Sequence, residues 1–140
     1  MSRILGIDYG LKRIGLAIGD STLKLCSPLE TIPAGREILE QVEDVVRIAA
    51  EYGAEIVVVG LPLNMDGTEG VQARRTRRFG DALAARLNQP VHYVDERLSS
   101  FAADEALGST DLSRKKKKSV RDAVAAQIIL QAYFDRENGD

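Results

Sequence analysis

An α/β fold, built as a mixed sheet with helices on both faces, is predicted by two observations on this 140-residue chain. The chain opens with strand-like runs separated by a tight glycine turn. Further strand-like runs then alternate with segments of helical periodicity. Strands joined through crossover helices run parallel, so an antiparallel meander followed by parallel strands belongs in one sheet.

The first strand is expected over Arg3 to Tyr9 and the second over Arg13 to Gly19, with Gly10 to Lys12 as the turn. Leu25 to Ile32 is a third strand, which Pro28 confines to a sheet edge or divides. Ile38, Val42, Val45 and Ala49 recur at helical spacing within Glu37 to Tyr52, and Gly53 is a stop. Glu55 to Leu61 is a β-branched run, as a strand covered on both faces requires. A loop from Pro62 to Gly70 leads to an amphipathic helix over Val71 to Leu87, and Val91 to Asp95 is the fifth strand. Phe101 to Leu107 reads as a short helix, Gly108 to Ser113 as a polar loop, and Val120 to Phe134 as the last helix. No linker or repeat divides the chain, so 1–140 is expected to form a single domain.

Apolar residues make up 44% and charged residues 29%, ordinary values for a globular protein. No apolar run approaches the roughly 18 residues of a membrane span, and no secretory signal layout opens the chain, so no membrane partner is expected. Cys26 is alone, which rules out an internal disulfide or a cysteine zinc cluster and fits a reducing cytoplasm. The net charge of -2 does not itself point to nucleic acid. Its distribution does: Arg74, Arg75, Arg77 and Arg78 form one basic cluster, and Arg114, Lys115, Lys116, Lys117 and Lys118 form another. Concentrated positive charge holds phosphates even on a slightly acidic molecule, although solvated surface is the plainer reading of such runs.

Ligands of open α/β sheets gather at the carboxyl ends of the parallel strands, and acidic residues are expected there. Asp8 follows the apolar Ile4, Leu5 and Ile7, where a charge is costly unless it is paired, coordinated or at the sheet's end. Gly6 and Gly10 remove side-chain bulk around it and leave room for a phosphate or metal. Turn initiation before Gly10 is the competing reading. Asp95 and Glu96 follow the strand Val91 to Val94, and alternation allows only one of them to point at a given site. Asp122 fits a capping box after Ser119, yet it also falls on one helical line with Ala126, Ile129 and Tyr133. That line heads for the sheet, with Gln127 and Gln131 on the wetter side. Carboxylates from two strand ends and a helix make a hard oxygen site suited to Mg²⁺ or Mn²⁺. Two such ions about 3.5–4 Å apart promote phosphodiester hydrolysis. Asp8, on the expected central strand, is the candidate bridge. Asn64 and Asp66 border the same cleft, where they contact substrate or simply form the turn before Gly67. His92 is expected to pack on its strand.

Taken together these blocks resemble the YqgF family, also called RuvX, of the ribonuclease H-like superfamily. The markers are Gly6-Ile7-Asp8-Tyr9-Gly10, Arg13-Ile14-Gly15-Leu16-Ala17, the run from Val59 through Asn64 to Gly67, Asp95-Glu96-Arg97-Leu98-Ser99, and Asp122-Ala123-Val124-Ala125-Ala126. They span essentially the whole chain in order. The resemblance implies a ribonuclease H-like fold and metal-dependent nuclease chemistry on structured RNA or branched DNA, described as maturation of the 16S rRNA 5′ end or resolution of Holliday junctions. It implies Asp8, Glu96 and Asp122 as catalytic metal ligands, with Asp95 the fallback for the second. Asn64 and the arginines and lysines of the two clusters are then expected on the substrate. The basic run from Arg114 to Lys118 is expected in a variable loop.

Two rivals remain. An ATP-dependent phosphotransferase of the actin and sugar-kinase type shares the strand, turn and strand opening, but needs two such domains. A non-catalytic nucleic-acid-binding or ribosome-assembly module would keep the fold and bind without cutting. A junction resolvase would work as a homodimer, whereas an RNA trimmer could be a monomer.

Overall fold

The computed structural model describes residues 2–35, 37–95 and 114–139, with the backbone alone for 114–120 and 137–139. Five strands form one sheet: β1 (Arg3–Tyr9), β2 (Arg13–Asp20), β3 (Leu25–Pro33), β4 (Ala54–Leu61) and β5 (Val91–Asp95). Their order is β3-β2-β1-β4-β5, with the first three antiparallel and β4 and β5 parallel to β1. β1 is therefore central, and β3 lies at an edge as Pro28 requires. The β2–β3 register shifts where Leu16 and Ala17 face Glu30 and Pro28, so the edge strand absorbs its proline by a local irregularity and is not divided.

Three helices are described: α1 (Ile38–Tyr52), α2 (Val71–Leu87) and α3 (Arg114–Gly139). On one face of the sheet Leu5, Ile7, Val57 and Val59 pack with Val42, Val45 and Ile48 of α1 and with Phe79 and Leu83 of α2. On the other, Ile4, Ala17, Val58 and Val94 pack with Ala126, Ile129, Leu130 and Phe134 of α3. Consecutive β4 valines thus serve different cores, which explains the unbroken apolar run. α1 ends at Gly53, whose φ of 67° is left-handed.

The last helix departs from the expected boundary. α3 begins at Arg114, not Val120, so the basic run occupies helical backbone and not a loop. Lysine and arginine are good helix formers, and polarity alone does not mark a loop. Ser119 therefore lies inside the helix, and the capping-box reading of Asp122 falls. The expected short helix over Phe101 to Leu107 and the loop to Ser113 lie outside the described residues.

Candidate active site

Strand alternation sorts the residues at the carboxyl end of β1. Leu5, Ile7 and the buried Tyr9 point toward α1 and α2, so Ile4, Gly6 and Asp8 point toward α3. Tyr9 anchors the far side: its ring stacks on Phe79 at 4.4 Å, and its hydroxyl donates to Gln41 Oε1 at 2.7 Å. The half-buried Asp8 faces Gly15 across the β1–β2 ladder, so both positions share the α3 face.

α3 lands on that spot. A Cβ placed on Gly15 would lie 2.1 Å from the backbone oxygen of Asp122, so only glycine lets the helix descend this far. Gly15 is the common neighbour of Asp8 and Asp122, and the two carboxylates come from elements in direct contact. Gly6 and Gly10 have different uses from the one expected. The space at Gly6 is taken by Ala126 O and Leu130, and that at Gly10 by Arg13 O, so helix packing and hairpin closure consume it. Neither opening is left for a ligand.

Arg13 completes the cluster. Its Nε donates to Asp122 Oδ2 at 2.6 Å, with the two side chains 36% and 21% exposed. No local sequence pattern shows this contact between residues 109 apart. Asp95 lies elsewhere. It pairs in register with Leu61, next to the pair of Val59 with Tyr93, while Val94 between them joins the α3-side core. Its side chain therefore belongs to the face opposite Asp8. Glu96 lies outside the described residues, and among those described no group of three His, Cys, Asp or Glu side chains is gathered to hold a metal. Asp8 and Asp122 both lie beside Gly15 on one face, with the Arg13 guanidinium on Asp122, and carboxylate oxygens are the donor type a hard divalent cation takes.

The family model described as "RuvX: Holliday junction resolvase" matches residues 2–136. The chain belongs to this family. It is 48% identical over 132 residues to a protein of Chloroflexus aggregans, covering 94% of this chain and 92% of the other. A relative from Anaeromyxobacter sp. (strain K) is 44% identical over 134 residues, covering 96% and 97%. Both carry the name "Putative pre-16S rRNA nuclease". Thermus thermophilus RuvC, solved with a Holliday junction substrate, superposes with a TM-score of 0.59 at 18% identity, covering 99% of this chain and 97% of that one. The yeast mitochondrial Holliday junction resolvase Ydc2 does so with 0.53 at 11% identity, covering 96% and 81%. These place the chain on the ribonuclease H-like fold and among nucleases.

Within this RuvX-family chain the basic residues divide into two kinds. Arg77 is engaged: its Nε and Nη2 each lie 2.7 Å from the Glu69 carboxylate, and its guanidinium sits 4.8 Å from the centre of the Tyr93 ring. The hydrogen bond and charge of Arg77 hold the Glu69 carboxyl below the usual carboxylate range. Arg74 and Arg78 are exposed on the solvent side of α2, whose buried side carries Ala73, Thr76, Phe79, Gly80 and Leu83. The α2 N-terminus is tied to the site by Gln72 Nε2, which donates to Tyr9 O at 3.3 Å. On the other face α3 runs from Asp122 over Gly15 to Leu130 over Gly6 and Gly19. Arg114 through Lys118 precede Asp122 by about 6–12 Å of helix, at 1.5 Å per residue, on the carboxyl-end side of β1.

The β4–α2 loop is held by its own polar groups. Asn64 Nδ2 donates to Thr68 Oγ1 at 3.0 Å, while the Thr68 amide and hydroxyl donate to Asp66 Oδ1 at 3.0 and 2.6 Å. Asn64 and Asp66 thus perform the turn-forming role. His92 packs its ring 5.5 Å from that of Tyr133. Among the described residues no helix is long and apolar enough to cross a membrane.

Proposed function

We propose that this chain is a metal-dependent endonuclease acting on structured RNA, with maturation of the 5′ end of precursor 16S rRNA as its role. One observation carries the reading: Asp8 and Asp122 flank Gly15 on one face at the carboxyl end of the central strand. The names of the relatives supply the RNA assignment.

Asp8, Asp122 and Glu96 would hold a pair of Mg²⁺ or Mn²⁺ ions, with Asp8 the ligand shared between them. When bound, such a pair supplies an activated water and stabilises the leaving oxygen. The position of Asp95 on the opposite face takes away the fallback for the second acid and leaves Glu96. Arg74 and Arg78 on α2 and the run from Arg114 to Lys118 on α3 flank the site from opposite faces of the sheet. In this reading they hold the phosphate backbone either side of the cut, which gives affinity and register without sequence selectivity. The whole span 1–140 acts as one catalytic domain in the reducing cytoplasm.

Resolution of branched DNA is the second reading, favoured by the family description and the resolvase fold; it would call for a homodimer, so that two strands are cut. The deciding experiment compares precursor 16S rRNA, single-stranded RNA and four-way DNA junctions, each with Mg²⁺ and Mn²⁺. Cleavage of the precursor that Asp8→Asn abolishes without unfolding is the expected result. Preferential junction cleavage moves the assignment to DNA, and binding without cutting of any substrate leaves a non-catalytic module.

A further inference from the structure

The ion pair between Arg13 and Asp122 sits inside the proposed metal site, where a fixed cation is not a neutral bystander. A guanidinium within hydrogen-bond distance of a ligand carboxylate neutralises it in the free protein. The same guanidinium repels a dication that approaches that carboxylate. Arg13 occupies one carboxylate oxygen, Oδ2, so a cation that takes that oxygen displaces the arginine.

Arg13 is built to move at its side chain and not at its backbone. Its carbonyl accepts from Gly10 at 3.0 Å, and its position pairs with Pro33 on β3, so the main chain is held from both sides. The side chain is 36% exposed, and among the described residues Asp122 is its acceptor through Nε alone. Among the described residues the terminal nitrogens have no acceptor and can bind a ligand. A guanidinium beside the reacting end of a nuclease site meets one abundant anionic partner, the phosphate of the nucleic-acid backbone, which it binds by charge-assisted hydrogen bonds.

We infer that Arg13 is an exchangeable counter-ion of the active site: it pairs with Asp122 while no divalent cation is present, and transfers its guanidinium to a nucleic-acid phosphate when cation and substrate bind. This rests on the nuclease reading of the same site. It makes Arg13 a substrate-binding group whose resting partner is a metal ligand, and it predicts effects of opposite sign on two affinities.

The test titrates Mn²⁺ into wild-type, Arg13→Gln and Arg13→Lys proteins without nucleic acid, following free Mn²⁺ by electron paramagnetic resonance. A short RNA duplex is then titrated with Ca²⁺ as the cation, so that binding is read without turnover. Arg13→Gln should bind Mn²⁺ about 5-fold more tightly, since a repelling charge is gone. Its RNA affinity should fall by about 5-fold and its salt slope by about 0.9, the share of one duplex phosphate contact. Arg13→Lys keeps the charge and should keep Mn²⁺ affinity near wild type. Weaker Mn²⁺ binding in Arg13→Gln, with a lowered Tm, would make the residue a structural clip and overturn the exchange. Unchanged RNA affinity would overturn it equally. Wild-type protein that binds no Mn²⁺ sinks the nuclease site itself, and is told apart because no variant comparison is then needed.

Discussion

Gly15 and Asp122 are in contact through the backbone: the position a Gly15 Cβ would take is 2.1 Å from the Asp122 oxygen. The atom it would meet is main chain, which cannot rotate aside as a flexible side chain would. Gly15→Ala must therefore lift α3 from β2. Overpacking of this kind costs about 1–3 kcal/mol, and urea denaturation should show a loss in that range. Because the displaced segment carries Asp122 itself, cleavage should fall further than the stability loss explains. An alanine variant of wild-type stability and activity would show that the helix does not need this approach.

The two neighbouring acids of β5 can be separated by the same logic of faces. Asp95 lies in register with Leu61 on the side of α1 and α2, away from Asp8. Asp95→Asn should keep most of the cleavage rate and the Mn²⁺ affinity, whereas Glu96→Gln should abolish the first and weaken the second. The reverse pattern in a metal titration would reinstate Asp95 as the ligand.

Two acids of the candidate site stand out in the chain because each breaks a local pattern. Asp8 interrupts an apolar strand, and Asp122 lies on the helical line that carries Ala126 and Ile129, both buried. Arg13 broke no pattern, since an arginine at the start of a strand is unremarked until its partner arrives from 109 residues away. The basic run before Val120 is helical because lysine and arginine favour helix, which a loop expectation for a charged run overlooks. Gln127, on the wetter side of the helical wheel, donates its Nε2 to Cys26 O at 3.0 Å. An edge strand offers backbone acceptors that a helical wheel cannot show. The space at Gly6 was expected for a ligand, and a neighbouring helix fills it instead.

Tyr93 gives a pH signature on the far face. Its hydroxyl donates to Asp81 Oδ1 at 3.0 Å, and burial, followed by that carboxylate, pushes its pKa up from the usual value. A raised folded pKa means the neutral phenol is favoured by the fold. Its contribution is present below the unfolded value of about 10 and lost as pH rises above it. Tyr93→Phe should lose about 0.5–1.5 kcal/mol near neutrality with the hydrogen bond. The gap to wild type should narrow above about pH 10, as measured by urea denaturation across pH. A gap that widens in alkali would contradict the assignment.

The arginines of α2 differ in what they have left to offer a phosphate. Arg77 is bound in two places by Glu69 and lies over Tyr93, while Arg74 and Arg78 are exposed one helical turn apart. A phosphate recruiting Arg77 must first break a bidentate pair, so the exposed residues should carry the electrostatic share. Arg74→Ala and Arg78→Ala should each reduce the salt slope of duplex binding by up to about 0.9, with thermal stability nearly unchanged. Arg77→Ala should instead lower the Tm slightly and leave the slope near wild type. If Arg77→Ala alone flattens the salt response, the Glu69 pair opens on binding, and the nucleic acid runs closer to Tyr93 than the exposed face of α2 implies.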